Sequence, residues 1–297
     1  FHRVFLSHAP VGGVEHGALG LQRQLHLLAR QFGVLAQLDL ELVRAELQTS
    51  GKAVLQLVEQ LVSQLDGPYY GPMMSEIESA LRATNKHVII AVGHSVAEQE
   101  IDSVEFLLGR GCDALILDVE AVSDEYLIEL SQGATPIVLI NRYIPQLADN
   151  CICLNNELGG YLATKQLLQQ GHRQLAYIAG PMWKSDAKDR YAGHLRAMAE
   201  YGVTFNSALF AEGDFQDSSG SACMQQLLDK KLPFTALVCA NDEMAAGAME
   251  VARQHGLQVP EQLSIVGFDN LILARYIHPK LTTIDYPIGE MGRMAAR

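Results

Sequence analysis

The clearest hydrophobic pattern of the chain lies near its end, in residues 234–270. Residues 236–240 form an unbroken apolar run, which is typical of a parallel strand covered on both faces. Polar residues follow, and apolar residues then recur at helical spacing up to Gly256, where the helix is predicted to end. A second apolar run, 265–268, comes next. The segment therefore predicts a strand–helix–strand unit of a parallel sheet.

The same alternation extends back to about residue 72. The predicted strands are 88–92, 114–119, 137–141, 151–154, 175–179, 236–240 and 265–268. The predicted helices begin near Pro72, Val96, Ser123, Glu157, Lys188, Asp217 and Asp242. Short apolar strands alternating with helices predict an α/β fold of one or two mostly parallel sheets with helices on both faces.

Residues 141–149 contain Pro145 and little periodicity, which predicts a passage between two lobes. We expect a first lobe over 66–145, a second over 146–275 and a crossover strand over 281–287. Polar residues such as Asn241 and Asp269 follow predicted strands directly. Because open α/β sheets bind ligands at the carboxyl ends of their strands, the pattern also predicts a binding site there.

The first 65 residues have a different composition. They contain no Ile, Asn, Met, Tyr, Trp or Cys and are rich in Leu and Gln. Apolar residues recur at helical spacing within 21–35 and within 55–65, with Gly33 and Gly51 as breaks. The pattern predicts an extra helical N-terminal segment that ends close to Asp66.

Composition and charge narrow the class of protein. The 297 residues are 48% hydrophobic and 19% charged, as in ordinary globular domains, and the net charge is −12. An acidic chain of this kind lacks the clustered Lys and Arg of a nucleic-acid footprint, and residues 1–65 carry five basic and five acidic side chains. No apolar run approaches the roughly 18 residues of a membrane span.

Metal, cofactor and catalytic motifs are weak. The five cysteines are odd in number and lie mostly within apolar runs, which favours reduced thiols, and Cys151-x-Cys153 has closer spacing than paired zinc ligands. The sequence contains no dinucleotide-binding glycine motif, phosphate-binding loop or nucleophile elbow. It therefore predicts no catalytic residue, no metal and no cofactor.

Several motifs in order carry a family resemblance: "DGPYYGPMMSEIESAL", "GCDALIL", "PIVLINR", "GGYLATKQLLQQGHRQLAYIAGP", "DRYAGHLRAM", "EGDF", "ALVCANDEMAAGAM", "VPEQLSIVGFDN" and "LTTIDYP". Over residues 66–297 the chain resembles the effector-binding core of the LacI/GalR transcription regulators, and in particular their galactose-repressor branch. The resemblance implies a two-lobed fold like that of periplasmic binding proteins. It also implies a cytoplasmic repressor in which a small sugar or related metabolite binds between the lobes and allosterically alters binding to operator DNA. The core of such a regulator binds its ligand without turning it over.

The resemblance further implies a homodimer, to which the predicted helix over 72–83 contributes, and no membrane partner. Two departures stand out. Residues 1–65 match neither the family's helix-turn-helix head nor the strand that precedes "DGPYYG", so we expect no operator binding through them. The end, "GEMGRMAAR", stops short of a complete family core. Two alternatives remain open: a periplasmic sugar-binding protein of a transport system, and an inactive product with a foreign or misread front.

Three residues match the family's ligand-binding positions most directly. Arg190 in "DRYAG" offers a planar fork of donors that suits two adjacent hydroxyls or a carboxylate. The alternative interpretation of Arg190 is an ordinary surface arginine. Asn241 and Asp269 match polar ligand contacts at strand ends. Asn241 could instead cap a helix and Asp269 a loop, and either role is compatible with ligand binding.

The resemblance also implies further ligand contacts. Phe215 matches a stacking aromatic, and Asn141 ends the last strand of the first lobe. Asp66, Tyr69 and Tyr70 would close the cleft from the first lobe, and Tyr286 lies near it on the crossover strand. Sugars present an apolar C–H face that suits an aromatic ring. For Phe215 the competing role is an ordinary core position, and for Asp66 and the tyrosines a purely structural role is an equal alternative.

Overall fold

The computed structural model describes residues 5–7, 56–62 and 67–297. Within this part, the chain forms two compact units. One unit contains the described residues from Gln56 to Leu154 together with Pro287–Arg297. The other contains Asn155–Tyr286 with the short strand Phe5–Ser7. Each unit is built on its own sheet, with helices packed against both faces. The predicted α/β class with mostly parallel sheets is confirmed.

The first unit has a five-stranded parallel sheet in the order β3-β2-β4-β5-β6. Its strands are β2 (Gln56–Val62), β3 (Lys86–Val92), β4 (Ala114–Leu117), β5 (Ile137–Ile140) and β6 (Cys151–Ile152). Its helices are α1 (Tyr70–Arg82), α2 (Ala97–Gly109), α3 (Asp124–Ser131) and α9 (Ile288–Ala295). Its core is aliphatic, with Leu61, Leu117 and Leu139 fully buried side by side on adjacent strands.

The second unit has a six-stranded sheet in the order β1-β11-β10-β9-β7-β8, parallel except for β1. Its strands are β1 (Phe5–Ser7), β7 (Leu175–Ala179), β8 (Phe210–Glu212), β9 (Ala236–Cys239), β10 (Ser264–Asp269) and β11 (Thr282–Asp285). Its helices are α4 (Asn156–Gln169), α5 (Ser185–Glu200), α6 (Asp217–Asp229), α7 (Asp242–Gln254) and α8 (Ile272–Tyr276).

The predicted elements from residue 72 onward agree with these bounds within a few residues. All residues of β7 and β9 are buried, as expected for strands covered on both faces. Helix α7 ends where Gly256 adopts a φ of 72°, a left-handed conformation that glycine takes at little cost.

The helix predicted over 55–65 is wrong where the structure describes it. Gln56–Val62 is the strand β2, paired in parallel with β3 on one side and β4 on the other. Leu61 and Val62 are fully buried, because a strand between two neighbours is covered on both faces. Two flanking strands thus override the helical spacing of the apolar residues. The rest of the predicted helical segment lies outside the described residues.

The passage between the units comes later than position 145. Strand β6 pairs with β5 and so belongs to the first sheet, although we expected it in the second lobe. The units divide between Leu154 and Asn155. The second unit continues through β11, which pairs with β10, and the chain returns to the first unit at Pro287.

Candidate ligand-binding site

The second sheet presents polar side chains where its strands end. Asn241 lies just beyond β9, Asp269 is the last residue of β10 and Tyr286 follows β11. These three strands are parallel neighbours, so their carboxyl ends meet at one edge of the sheet. The structure therefore brings three of the predicted ligand residues to one place.

Arg190 reaches the same edge from α5. Its side chain is buried, with Nη1 donating a hydrogen bond of 2.6 Å to the Ala240 carbonyl and Nε one of 2.9 Å to Oδ1 of Asn156. Nη1 also lies 3.5 Å from Oδ1 of Asp269. Arg190 is thus a buried arginine rather than a surface one, and it forms an ion pair with a second predicted ligand residue.

An aromatic ring supports the guanidinium group. The Cζ atom of Arg190 lies 3.8 Å from the centre of the Phe268 ring, a cation–π arrangement. The ring leaves no room on α4 for a side chain at Gly159, because a Cβ there would lie 2.5 Å from Phe268. Phe268 therefore fixes the plane in which Arg190 presents its donors.

Two glycines set how closely α4 and α5 approach. A Cβ at Gly160 would lie 2.0 Å from the Arg190 carbonyl oxygen, and one at Gly193 would lie 2.0 Å from the Glu157 carbonyl oxygen. Neither distance is possible for a real Cβ, so the contact between the helices requires both glycines. This contact places the backbone of Arg190 against α4.

Asp269 is buried and its backbone adopts a φ of 108°, a conformation that L-residues rarely take. Among the described residues, its Oδ1 atom has no hydrogen-bond partner, although Arg190 lies close by. Burial and the neighbouring Asp242 carboxylate raise the pKa of Asp269 well above its usual range, while Arg190 acts to lower it. A buried oxygen of this kind is a natural acceptor for a ligand hydroxyl.

Asp242 is buried near this edge and connects β11 with the loop after β10. Its Oδ1 accepts from the Thr283 hydroxyl at 2.6 Å, and its Oδ2 accepts from the Leu271 amide at 2.8 Å. Burial raises the pKa of Asp242 to about 7, although these hydrogen bonds act to lower it. Two carboxyl groups therefore share the surroundings of one guanidinium.

Asn241 fulfils the expected role of a helix cap. Its Oδ1 accepts from the Met244 amide at 3.0 Å, and its Nδ2 donates to the Phe215 carbonyl at 2.8 Å. Phe215 adopts a φ of 73°, and its ring covers Gly180, where a Cβ would lie 2.1 Å from a ring atom. Asn241 thereby fixes the loop that holds the predicted stacking aromatic.

Tyr286 completes the group. Its ring meets Phe268 edge-on at 6.3 Å, and its amide donates to the Asp269 carbonyl at 3.3 Å. Its ring centre lies 5.9 Å from Cζ of Arg190, and that of Phe215 lies 5.8 Å away. Five of the predicted site residues thus surround or include Arg190.

The first unit carries a second group of predicted residues. Asn141 follows β5, and its Nδ2 donates to the Tyr69 hydroxyl at 2.9 Å and to Oδ1 of Asp118 at 3.3 Å. Tyr70 meets Tyr69 edge-on, with ring centres 5.0 Å apart. Asp118 follows β4, so this group also lies at the carboxyl ends of parallel strands. Asp66 lies outside the described residues.

The cysteines are free thiols, and four of them are buried. Burial raises the pKa of Cys153 to about 12, so it is a protonated thiol at neutral pH. Among the described residues, no cluster of three or more His, Cys, Asp or Glu side chains could hold a metal ion. In the same part of the chain, no helix is long and apolar enough to cross a membrane.

Comparison with known proteins agrees with the family resemblance found in the sequence. Residues 164–297 match the model of a periplasmic binding protein-like domain. The chain is 36% identical over 236 residues to the HTH-type transcriptional regulator GalR of Escherichia coli K12, which covers 80% of this chain and 69% of GalR. The chain belongs to the LacI/GalR family of transcription regulators.

Solved structures of the family agree with the fold. A LacI-family transcriptional regulator from Burkholderia phymatum is 36% identical with a TM-score of 0.77, covering 82% of this chain and 90% of that one. A LacI-family regulator from Enterococcus faecium, solved with bound ribose, is 28% identical with a TM-score of 0.73, covering 81% and 87%. Because these family members are transcription regulators, a transport-system binding protein is not favoured.

Sequence reasoning missed three residues of the two groups around Arg190 and Asn141. They are Phe268, which supports Arg190, Asp242, which braces the strand ends, and Asp118, which accepts from Asn141. Asp118 could have been found, since it is a polar residue that directly follows the apolar run of β4. Phe268 could not have been found, because the sequence does not show which charged residue packs against a buried aromatic in a strand.

Proposed function

We propose that this chain is the ligand-sensing core of a LacI/GalR-type repressor that binds a small, uncharged sugar or related metabolite through Arg190, Asn241 and Asp269. The observation that carries the proposal is the buried Oδ1 of Asp269 beside the Arg190 guanidinium. A buried acceptor without a hydrogen bond is costly, and a ligand hydroxyl would satisfy it. Arg190 supplies the complementary donors.

The charges of the site favour a neutral ligand over an acidic one. Three carboxyl groups surround Arg190: Asp269 at 3.5 Å, Asp186 at 3.9 Å and the more deeply placed Asp242. A ligand carboxylate would have to share one guanidinium with these carboxyl groups, and burying a further charge without a partner of its own is costly. Hydroxyl groups can donate to the carboxylates and accept from Arg190, so a polyol fits both.

The proposed role is sensing rather than catalysis. Asn241 is used as a helix cap, Arg190 is fixed by an aromatic ring and a carbonyl, and Asp269 lies in a strained, buried position. Such groups are arranged to orient a ligand. A ligand with different affinity for two arrangements of the lobes shifts their populations, and this would change operator binding in a cytoplasmic homodimer of the family type.

Calorimetric titration of the chain against neutral sugars, nucleosides and sugar acids tests the proposal. We expect a neutral sugar or nucleoside to bind and the sugar acids to bind more weakly. Alanine substitution of Arg190, Asn241 or Asp269 should lower affinity about ten- to several-hundredfold, because a buried polar group loses its partner. Arg196→Ala is the matched control, since Arg196 lies on the same helix with its side chain 49% exposed.

Two outcomes would contradict the proposal. Binding that survives all three alanine substitutions would place the ligand elsewhere. Tighter binding of the sugar acid than of its neutral counterpart would refute the charge argument.

A further inference from the structure

Trp183 is the single tryptophan of the chain, and 55% of it is exposed. The exposed indole leaves apolar surface in water, and covering that surface with a ligand would be favourable. Exposed aromatic rings of this kind commonly serve as contact surfaces. The surroundings of Trp183 indicate which contact it makes.

The loop that carries Trp183 lies at the ligand edge of the second unit. It follows β7, whose neighbour β9 ends near Asn241, and it leads directly into α5, which carries Arg190. The Met182 amide donates a hydrogen bond of 2.8 Å to Oε1 of Glu212, which fixes the loop to the end of β8. Trp183 is therefore held beside the proposed site.

The Lys184 ammonium group lies near two aromatic rings. Its Nζ is 5.3 Å from the ring centre of Trp183 and 5.6 Å from that of Phe215, so the two ring centres lie within about 11 Å of each other. Two aromatic rings with a hydrogen-bond donor close to both suit a carbohydrate chain. The C–H face of each sugar ring stacks on an aromatic ring, and the hydroxyl edge accepts from the ammonium group.

We propose that Trp183 and Lys184 form a second subsite that takes the second ring of an extended effector, such as a disaccharide or an aryl glycoside. This inference rests on the proposed function, in which the first ring occupies the site of Arg190, Asp269 and Phe215. A second ring is favoured over a phosphate group. Glu212 accepts from the amide of Met182, two residues before Lys184, and Asp186 follows two residues after Lys184, so nearby carboxylates oppose an anion there.

The test compares a monosaccharide with the disaccharide and the aryl glycoside that contain it, by calorimetry on the whole chain. In the unsubstituted protein the extended ligands should bind about three- to tenfold more tightly. Trp183→Ala should abolish this advantage while leaving monosaccharide affinity within about twofold, and Trp183→Phe should retain most of it. Tyr143→Ala, an exposed aromatic of the other unit, is the matched control.

Tryptophan fluorescence gives an independent readout, since all of the signal comes from Trp183. The extended ligands should shift the emission, and the monosaccharide should leave it almost unchanged. An unchanged ratio of affinities in Trp183→Ala would overturn the subsite while leaving the proposed function in place. Binding of no sugar at all would overturn both. A phosphorylated monosaccharide that binds more tightly than its parent, with the gain lost in Lys184→Met, would replace the second ring by a phosphate.

Discussion

The guanidinium carbon of Arg190 lies 3.8 Å from the centre of the Phe268 ring. The residue after Phe268 in strand β10 is Asp269, whose carboxylate pairs with the same guanidinium at 3.5 Å. Adjacent strand residues thus supply a ring and a charge to one arginine. The arginine is oriented before any ligand arrives, which reduces the entropy lost on binding.

Lysine should not replace arginine at this position. We expect Arg190→Lys to lower sugar affinity at least about tenfold, because an ammonium group cannot stack on Phe268 and donate to two partners as a planar fork does. Calorimetry measures the loss, and Arg196→Lys on the same helix should leave affinity unchanged. Full affinity in Arg190→Lys would mean that only the charge matters.

Thr283→Val should destabilise the second unit. The substitution keeps the shape of the side chain but removes the hydroxyl that donates to Oδ1 of Asp242 at 2.6 Å. A buried carboxylate oxygen that loses its donor lowers the free energy of unfolding by about 1–3 kcal/mol. Urea unfolding measures this loss. The neighbouring, partly exposed Thr282→Val is the control and should change stability far less.

The pH dependence of stability should reflect Asp242. Its pKa rises from 3.8 to about 7 in the folded chain, so the folded state holds a proton that the unfolded state has released. Its contribution to stability is therefore fully present below pH 3.8 and is lost as pH rises towards about 7. Asp269, whose pKa is also raised by burial, acts in the same direction.

Asp242→Asn removes this titration, so unfolding measured at several pH values between about 4 and 7 should show a shallower fall in stability. Glu250→Gln is the control. Its pKa is lowered to about 2 by Arg253, so its effect falls between about 2 and 4.5, outside that window. An unchanged slope in Asp242→Asn would show that Asp242 is already ionised across the range.

Glu100→Gln should destabilise the first unit. This buried carboxylate accepts hydrogen bonds of 2.9 Å from the amides of three successive residues, Glu120, Ala121 and Val122, in the loop after Asp118. In Glu100→Gln an NH₂ group replaces one acceptor, which should lower the free energy of unfolding by about 1–3 kcal/mol. Urea unfolding checks this. The exposed Glu98→Gln on the same helix should be near neutral.

Gly160→Ala should damage both stability and ligand binding. The new Cβ would lie 2.0 Å from the Arg190 carbonyl, so α5 must move away from α4 and take Arg190 with it. Overpacking of this kind costs about 1–3 kcal/mol, and we expect a parallel loss of sugar affinity. Thermal unfolding and calorimetry together test this. Gly109→Ala, where a Cβ meets nothing within 4 Å, should be neutral or slightly stabilising.

The sequence by itself determined the order of most elements from residue 72 onward, although not β8, α8 or α9, because strands buried on both faces and amphipathic helices leave different periodicities. It also placed Asn241 and Asp269 at strand ends, since polar residues that close an apolar run are visible in one dimension. The family motifs added Arg190, which periodicity alone would have left on a helix surface.

Only the tertiary structure decided what depends on neighbours distant in sequence. Gln56–Val62 has the spacing of a helix but becomes a strand because β3 and β4 flank it. β6 joins the first sheet because β5 offers it a free edge. The burial of Arg190, its contact with the Phe268 ring and the burial that raises the pKa of Asp242 depend on elements that are far apart in the sequence, which no local pattern records.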